Sequence, residues 1–345
     1  MGVTKWFSRE GFTADVFGKF LQSTIFDPWK IVPLFLCAQY TTAGSEIVQQ
    51  YPQLLGALKV LLPLAVGRRL NAWLSRRAVN NGVSDKYDWS REVIVLTGGS
   101  NGIGKQIADR FGARGIKVAI LDIQPPTEQL PQSVHFHQCD ITSPSAIAAA
   151  AKDIRATLGE PTILINNAGV MSGRTLLNST EAQTRLIFEV NTMSHYWLSR
   201  EFLPSMIANN HGMVVTVASH AGYTTTPNMV DYSATKAASI AFHEGISVEL
   251  ATRYKAPRVR TVLVTPGFAQ TTLIKDLTPE DSWIGPLLHP ETVADQMVEQ
   301  VLTGQSGHVN LPGSAGWIAR CMRASPLWFQ CAIRKRLERR VRAVF

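Results

Sequence analysis

The stretch Val93-Ile94-Val95-Leu96-Thr97-Gly98-Gly99-Ser100-Asn101-Gly102-Ile103-Gly104 decides the fold. Its first four residues are a short apolar run, the pattern of a buried strand. Ile103, Ile107, Ala108 and Phe111 then recur at helical spacing. Between strand and helix the glycines are spaced G-x-x-x-G-x-G. That is the physics of a pyrophosphate site. Gly98 permits the tight turn, Gly102 lets the backbone approach the phosphates, and Gly104 lets helix and strand pack closely. The helix N-terminus adds amide donors and a positive dipole end at Ile103 and Gly104.

Working outward, further apolar runs predict strands at Val118 to Leu121, Val134 to Cys139, Ile163 to Ile165, Met213 to Val217, Thr261 to Val264 and His308 to Leu311. Helical patterns fill the gaps at Ser145 to Leu158, Glu181 to Ile207, Tyr232 to Tyr254 and Glu291 to Thr303. Seven strands alternating with helices predict an α/β fold, one doubly wound Rossmann domain on a seven-stranded parallel sheet, over residues 91–313. With 45% hydrophobic residues in a chain of 345, disorder is excluded.

Residues 1–90 and 314–345 differ from this domain. The net charge is +8, but residues 320–345 alone carry +7, and Arg68, Arg69, Arg76 and Arg77 carry +4. The rest of the chain is therefore acidic. Nucleic acid requires its basic residues on the folded domain itself, so no nucleic-acid partner is expected. A membrane surface requires them beside apolar anchors. Ile31 to Ala38 and Leu54 to Val66 are such anchors, and both are shorter than the ~18 to 20 apolar residues of a spanning helix. They are expected to form a re-entrant or interfacial pair, or else a helical extension packed on the main domain or on a partner subunit. The tail interleaves Trp317, Trp328 and Phe329 with arginines. It suits a second interfacial contact, or a subunit interface. The four cysteines show no C-x-x-C, and a reducing compartment fits them.

Asp122 ends the second strand, eighteen residues after Gly104. A carboxylate there accepts both ribose hydroxyls of NAD and repels the 2′-phosphate of NADP. Asn101 stands where a basic residue would hold that phosphate. NAD is favoured, with NADP the alternative. Asp140 follows the third strand, placed to cap the edge of the adenine. Asn166-Asn167-Ala168-Gly169 follows the fourth, where small residues let backbone lie against a cofactor.

Tyr232 and Lys236 stand four apart on a helix and share a face. A free tyrosine titrates near pH 10, too high for a base at neutral pH. A nearby ammonium and a positive nicotinamide ring both favour the phenolate. Tyr232 can then take a proton from an alcohol or give one to a carbonyl. Ser219, after the fifth strand, is placed to hold the substrate oxygen. Asn191 is placed to hold a water linking Lys236 to solvent.

These motifs together resemble the short-chain dehydrogenase/reductase family, over about residues 91–313. The hallmarks are Thr97 to Gly104, Asp122, Asp140, Asn166 to Gly169, Asn191, Ser219, Tyr232, Lys236 and Pro266-Gly267. The resemblance implies that Tyr232 is the general acid/base, and that Lys236 lowers its pKa and binds the ribose. It implies that Ser219 positions substrate, Asn191 supports a proton relay, and the cofactor lies along Thr97, Gly98, Gly102, Ile103, Gly104, Asp122, Asp140, Asn167, Gly169, Pro266 and Gly267. Phe188 to Asn191, His195 to Trp197 and Val215 to Ser219 resemble the membrane- and lipid-droplet-associated 17-beta-hydroxysteroid and retinol dehydrogenases. That branch implies a lipophilic alcohol substrate and, with the apolar anchors, a place on the cytosolic face of the endoplasmic reticulum or on lipid droplets; the family resemblance implies a homodimer or homotetramer. A biosynthetic NADPH ketoreductase and a non-catalytic membrane scaffold are the competing readings. Asp122 opposes the first of these, and the intact Ser219, Tyr232 and Lys236 oppose the second.

Met171 to Leu177, Ala221 to Met229 and Phe268 to Leu288 follow strands four, five and six and are expected to line the substrate pocket. The third, with Phe268, Leu273, Ile274, Leu277, Trp283, Ile284, Leu287 and Leu288, is apolar enough for a large hydrophobic substrate and has no arginine cluster for an anion. No metal is expected. His135 and His137 alternate on a strand without further ligands.

Overall fold

Every residue of Val93–Thr97 is buried, as the apolar run requires of a central parallel strand. The computed structural model describes residues 9–274 and 282–338. The chain divides into two compact units, residues up to 82 and residues from 83 onward.

The second unit holds a seven-stranded, all-parallel sheet. Its strands are β1 Val93–Thr97, β2 Lys117–Asp122, β3 Val134–Gln138, β4 Ile163–Asn166, β5 Met213–Val217, β6 Arg260–Pro266 and β7 Gly307–Leu311, in spatial order β3-β2-β1-β4-β5-β6-β7. Strand β1 pairs β2 on one side (Val95 with Ala119) and β4 on the other (Val95 with Leu164). The chain thus winds outward one way from β1 and returns to wind the other way from β4. This is the topological switch at which such sheets bind ligands.

Alternate strand residues face opposite sides of the sheet. Val93, Val95, Leu164 and Val214 pack on helices Pro144–Thr157, Ser194–Asn209 and Val230–Thr252, through Ile154, Phe202 and Phe242. Ile94, Leu96, Ile165 and Val215 pack on Gly102–Gly112 and Pro290–Leu302, through Phe111 and Met297. Both faces are covered, which is why the strands read as continuous apolar runs.

Among the described residues the helices of the first unit are α1 Ala14–Ser23, α2 Pro28–Tyr40, α3 Thr42–Gln50 and α4 Pro52–Val79. In chain order the second unit adds α5 Gly102–Gly112, α6 Pro144–Thr157, α7 Glu181–Phe188, α8 Ser194–Asn209, α9 Val230–Thr252, α10 Pro290–Leu302, α11 Gly313–Met322 and α12 Leu327–Glu338. The single helix expected from Glu181 to Ile207 is interrupted by a π-helical turn, Glu189–Met193. Here the Ser194 hydroxyl donates to the Val190 carbonyl and the Thr192 hydroxyl to the Thr235 carbonyl. Such turns concentrate at functional sites, and this one carries Asn191.

In the first unit, Asp27 caps α2 and Thr41 caps α3. The two apolar runs lie in α2 and α4, which pack through Ile31, Ala38 and Leu58. The second run continues through Arg68 to Arg77 as one helix. Trp29, Leu34, Tyr40, Val60, Leu64 and Trp73 remain exposed. Among the described residues no helix is long and apolar enough to cross a membrane.

Gly104 marks the tightest approach at the switch. A Cβ there would sit 2.0 Å from the Gly98 carbonyl oxygen and 2.7 Å from the Asn167 amide nitrogen. At Gly245, on α9, a Cβ would meet nothing within 4 Å. Gly104→Ala is therefore expected to lower the melting temperature by several degrees, as overpacking of about 1–3 kcal/mol does in a chain of this size. Gly245→Ala should leave it unchanged or raise it. Calorimetric melts of the two variants check the contrast.

Candidate active site

A cavity of about 930 Å³ opens at the C-terminal ends of the strands. Its floor at the switch is a clasp between β1 and β4. The Thr97 hydroxyl accepts the backbone N–H groups of Asn167 and Ala168, each at 3.0 Å. The Asn167 amide returns bonds to the carbonyls of Thr97 and Gly98 at 3.0 and 3.2 Å. Gly98 adopts φ +66° there, and a Cβ would lie 2.9 Å from Ala168 Cα. The glycine is required both by conformation and by contact.

Gly98, Gly102, Ile103 and Gly104 line the cavity, at the start of α5. Asn101, before that helix, makes no side-chain cap, so the first-turn amides are not satisfied by it. Asp122 lies on the rim. Its carboxylate accepts the Ser100 N–H at 3.1 Å and the Gln124 N–H at 3.2 Å. Asp140, also on the wall, accepts the backbone and hydroxyl of Thr142. The glycine cradle, the open helix start and the rim carboxylate fit a dinucleotide.

Ser219, Tyr232, Lys236, Gly169, Asn167, Pro266 and Gly267 line the same cavity. Burial pushes the Tyr232 phenol up to about 12, with the nearby Ser219 hydroxyl pulling the other way. Ser219 is itself held, donating to the Pro266 carbonyl at 3.2 Å and accepting the Ala221 N–H at 3.2 Å. Lys236 Nζ donates to the Val217 carbonyl at 2.9 Å and lies 5.7 Å from the centre of the Tyr232 ring. Burial pulls its ammonium down to about 8. Gly267 N–H donates to the Leu311 carbonyl at 2.6 Å, pinning the loop after β6 to β7.

Two of the expected site residues do not reach the wall. Thr97 is buried beneath it as the clasp. Asn191 is fully buried: its side chain accepts the Val170 N–H at 2.8 Å, donates to the Val170 carbonyl at 2.9 Å, and donates to the Thr235 hydroxyl at 3.1 Å. It holds the loop after β4 against α9. A Cβ on Gly169 would stand 3.5 Å from both the Asn191 amide oxygen and Lys236 Nζ, so these two groups flank that glycine.

The substrate side is apolar, as expected, with Met171, Met229, Phe268, Ile274 and Leu287 on the wall. Leu288 is buried below it, Trp283 and Leu177 are exposed, and Leu277 lies outside the described residues. Sequence reading missed part of this wall. Ala315, Ile318, Ala319 and Met322 of α11 line it, with Ile333, Arg336 and Leu337 of α12. The signal was available as i, i+3, i+4, i+7 spacing, under the basic composition of the tail.

The chain belongs to the short-chain dehydrogenase family, whose model matches residues 92–282. It is an oxidoreductase acting on alcohol or carbonyl groups, in a family that binds NAD(P). The chain is 40% identical to "Dehydrogenase RED2" of Cochliobolus heterostrophus, over 66% of this chain and 92% of that one. It is 31% identical to estradiol 17-beta-dehydrogenase 11 of Rattus norvegicus, over 83% of this chain and 96% of that one. Epidermal retinol dehydrogenase 2 of Mus musculus is 30% identical over 62% of this chain and 72% of its own. A short-chain dehydrogenase from Streptomyces avermitilis shares the fold, with a TM-score of 0.59 at 24% identity, covering 72% of this chain and 98% of that chain.

The buried ammonium has a consequence for stability. Lys236 titrates near 8 in the folded protein and near 10.5 in the unfolded chain. Between those values the unfolded chain binds more protons, so stability rises with pH, and below 8 the full cost is present, roughly 3 kcal/mol. Lys236→Met is expected to stabilise the protein at pH 7, with the gain shrinking as pH rises from 8 towards 10. Urea unfolding of both proteins across that range measures it.

Proposed function

We propose that this protein is an NAD-dependent dehydrogenase of lipophilic alcohols, working at a membrane surface, with Tyr232 as its general acid/base. The observation that carries the reading is the place of Tyr232. Its phenol is buried, close to Ser219, and lies where the glycine cradle meets an apolar chamber. Bound dinucleotide supplies the hydride acceptor or donor.

This chain's own groups then handle the proton and the alignment. Ser219, fixed by Pro266 and Ala221, holds the substrate oxygen beside the Tyr232 phenol. At pH 7 that phenol is protonated and can donate to a carbonyl oxygen. Taking the proton of an alcohol requires positive charge beside it. Lys236, titrating near 8, still carries its proton at pH 7 and favours the phenolate by Coulomb attraction. Asn191 keeps the loop after β4 in register with α9, the helix that carries Lys236. Asp122 at the rim favours NAD, because a 2′-phosphate there would meet a carboxylate.

The lipophilic substrate is supported by the apolar chamber and by the names of two of the relatives, an estradiol 17-beta-dehydrogenase and a retinol dehydrogenase. The membrane surface is supported by the exposed apolar side chains of α2 and α4 and by the arginines at the end of α4. The exposed Trp317 and Trp328 of the tail support a second contact there. An assembly of two or four chains is part of the same reading, by family likeness alone.

Tyr232→Phe is expected to lower kcat by about 10² to 10⁴, the usual worth of a positioned acid/base, while leaving dinucleotide affinity within a few-fold. Turnover of a panel of retinoids, steroids and long-chain alcohols, with dinucleotide binding measured beside it, is the test. A variant that keeps its turnover would remove Tyr232 from the chemistry.

A further inference from the structure

Among the described residues, four charged side chains line the cavity: Asp122, Asp140, Lys236 and Arg336. The two aspartates belong to the dinucleotide end. Lys236 is committed to the Val217 carbonyl beneath Tyr232. Arg336 has no such employment. It sits on α12 with Ile333 and Leu337 at i, i+3, i+4 spacing, so it belongs to the stripe of that helix that faces the chamber. Other arginines of the tail are used within the fold. Arg323 donates to the carbonyls of Gly222 and Tyr223, and Arg334 to the Gln330 side chain. Among the described residues Arg336 has no carboxylate or carbonyl partner.

A permanently charged, five-donor group on an otherwise apolar wall is poorly matched to a wholly neutral lipid. Filling the chamber strips water from one side of the guanidinium and returns no acceptor. Its other side stays in solvent, because Arg336 is exposed at the mouth. A ligand with an apolar body and an oxyanion at its outer end satisfies both conditions. We infer that the substrate is an amphiphile, an alcohol or ketone on an apolar chain that ends in a carboxylate, and that Arg336 binds this carboxylate at the mouth of the cavity. The inference rests on the dehydrogenase reading and names the substrate class for it. Arg336 is a specificity-determining residue, remote from the reacting carbon.

The test uses the full chain. Binding of dodecanoate and of methyl dodecanoate is measured by calorimetry for the wild type, for Arg336→Gln and for Lys335→Gln, a neighbouring exposed cation off the wall. The wild type and Lys335→Gln should bind the acid about tenfold or more tightly than the ester, and Arg336→Gln should lose that preference. In turnover, hydroxy acids of ten to sixteen carbons bearing the hydroxyl near the far end should exceed their methyl esters in kcat/KM by a similar factor, again only while Arg336 is present. Equal binding of acid and ester, a preference that survives Arg336→Gln, or one lost equally in Lys335→Gln would overturn the inference. Turnover of neutral alcohols with no gain from a carboxylate would overturn it and leave the dehydrogenase reading standing. Arg336-dependent dodecanoate binding in a protein that turns over no alcohol or ketone would uphold the anion site and remove the reading.

Discussion

The clasp between β1 and β4 is the constraint on which the rest of the site depends. One hydroxyl, on Thr97, holds two backbone N–H groups of the neighbouring strand's exit. Both strands therefore leave the sheet together. The glycine turn after β1 and the Asn167 to Gly169 segment after β4 become opposite sides of one crevice. Everything else is hung from that crevice. Asp122 reaches it from β2, Ser219 from β5 and Pro266-Gly267 from β6, because parallel strands place all their C-terminal ends on one edge. Gly104 has no room for a Cβ because the clasp draws α5 against the Gly98 carbonyl.

The second constraint is electrostatic. Tyr232 and Lys236 are both buried, and burial opposes the charged form of each. The phenol is held above its ordinary value and the ammonium below. At pH 7 both still hold their protons, and the pair departs from a surface Tyr–Lys pair only at higher pH, where the ammonium is lost early and the phenol late. The carbonyl of Val217 and the hydroxyl of Ser219 are the groups that fix the pair in place. Such a pair is costly to fold, and buried titratable pairs of this kind concentrate at functional sites.

Much of this was legible in the sequence. Strands buried on both faces read as unbroken apolar runs, so β1, β4 and β5 fall within a residue of their expected places. The glycine spacing was legible because it follows from backbone sterics. The π-helical turn at Glu189–Met193 was not, because one extra residue in a turn barely disturbs helical periodicity. Nor was the location of Thr97 and Asn191 behind the wall. Whether a polar side chain braces a loop or faces a cavity depends on partners distant in the chain, such as Val170 and Thr235. In the tail, charge obscured the stripe from Ala315 to Met322. Its arginines suggested a surface contact, while one face of the same helices closes the chamber.

On the function proposed above, the C-terminal edge of this sheet is a dinucleotide site in which Asp122 selects NAD. Calorimetric titration of the full chain with NADH and with NADPH tests it most directly. One NADH per chain is expected, bound at least tenfold more tightly than NADPH, with the difference lost in Asp122→Ala. Tighter binding of NADPH, or no binding of either by the folded protein, would contradict it.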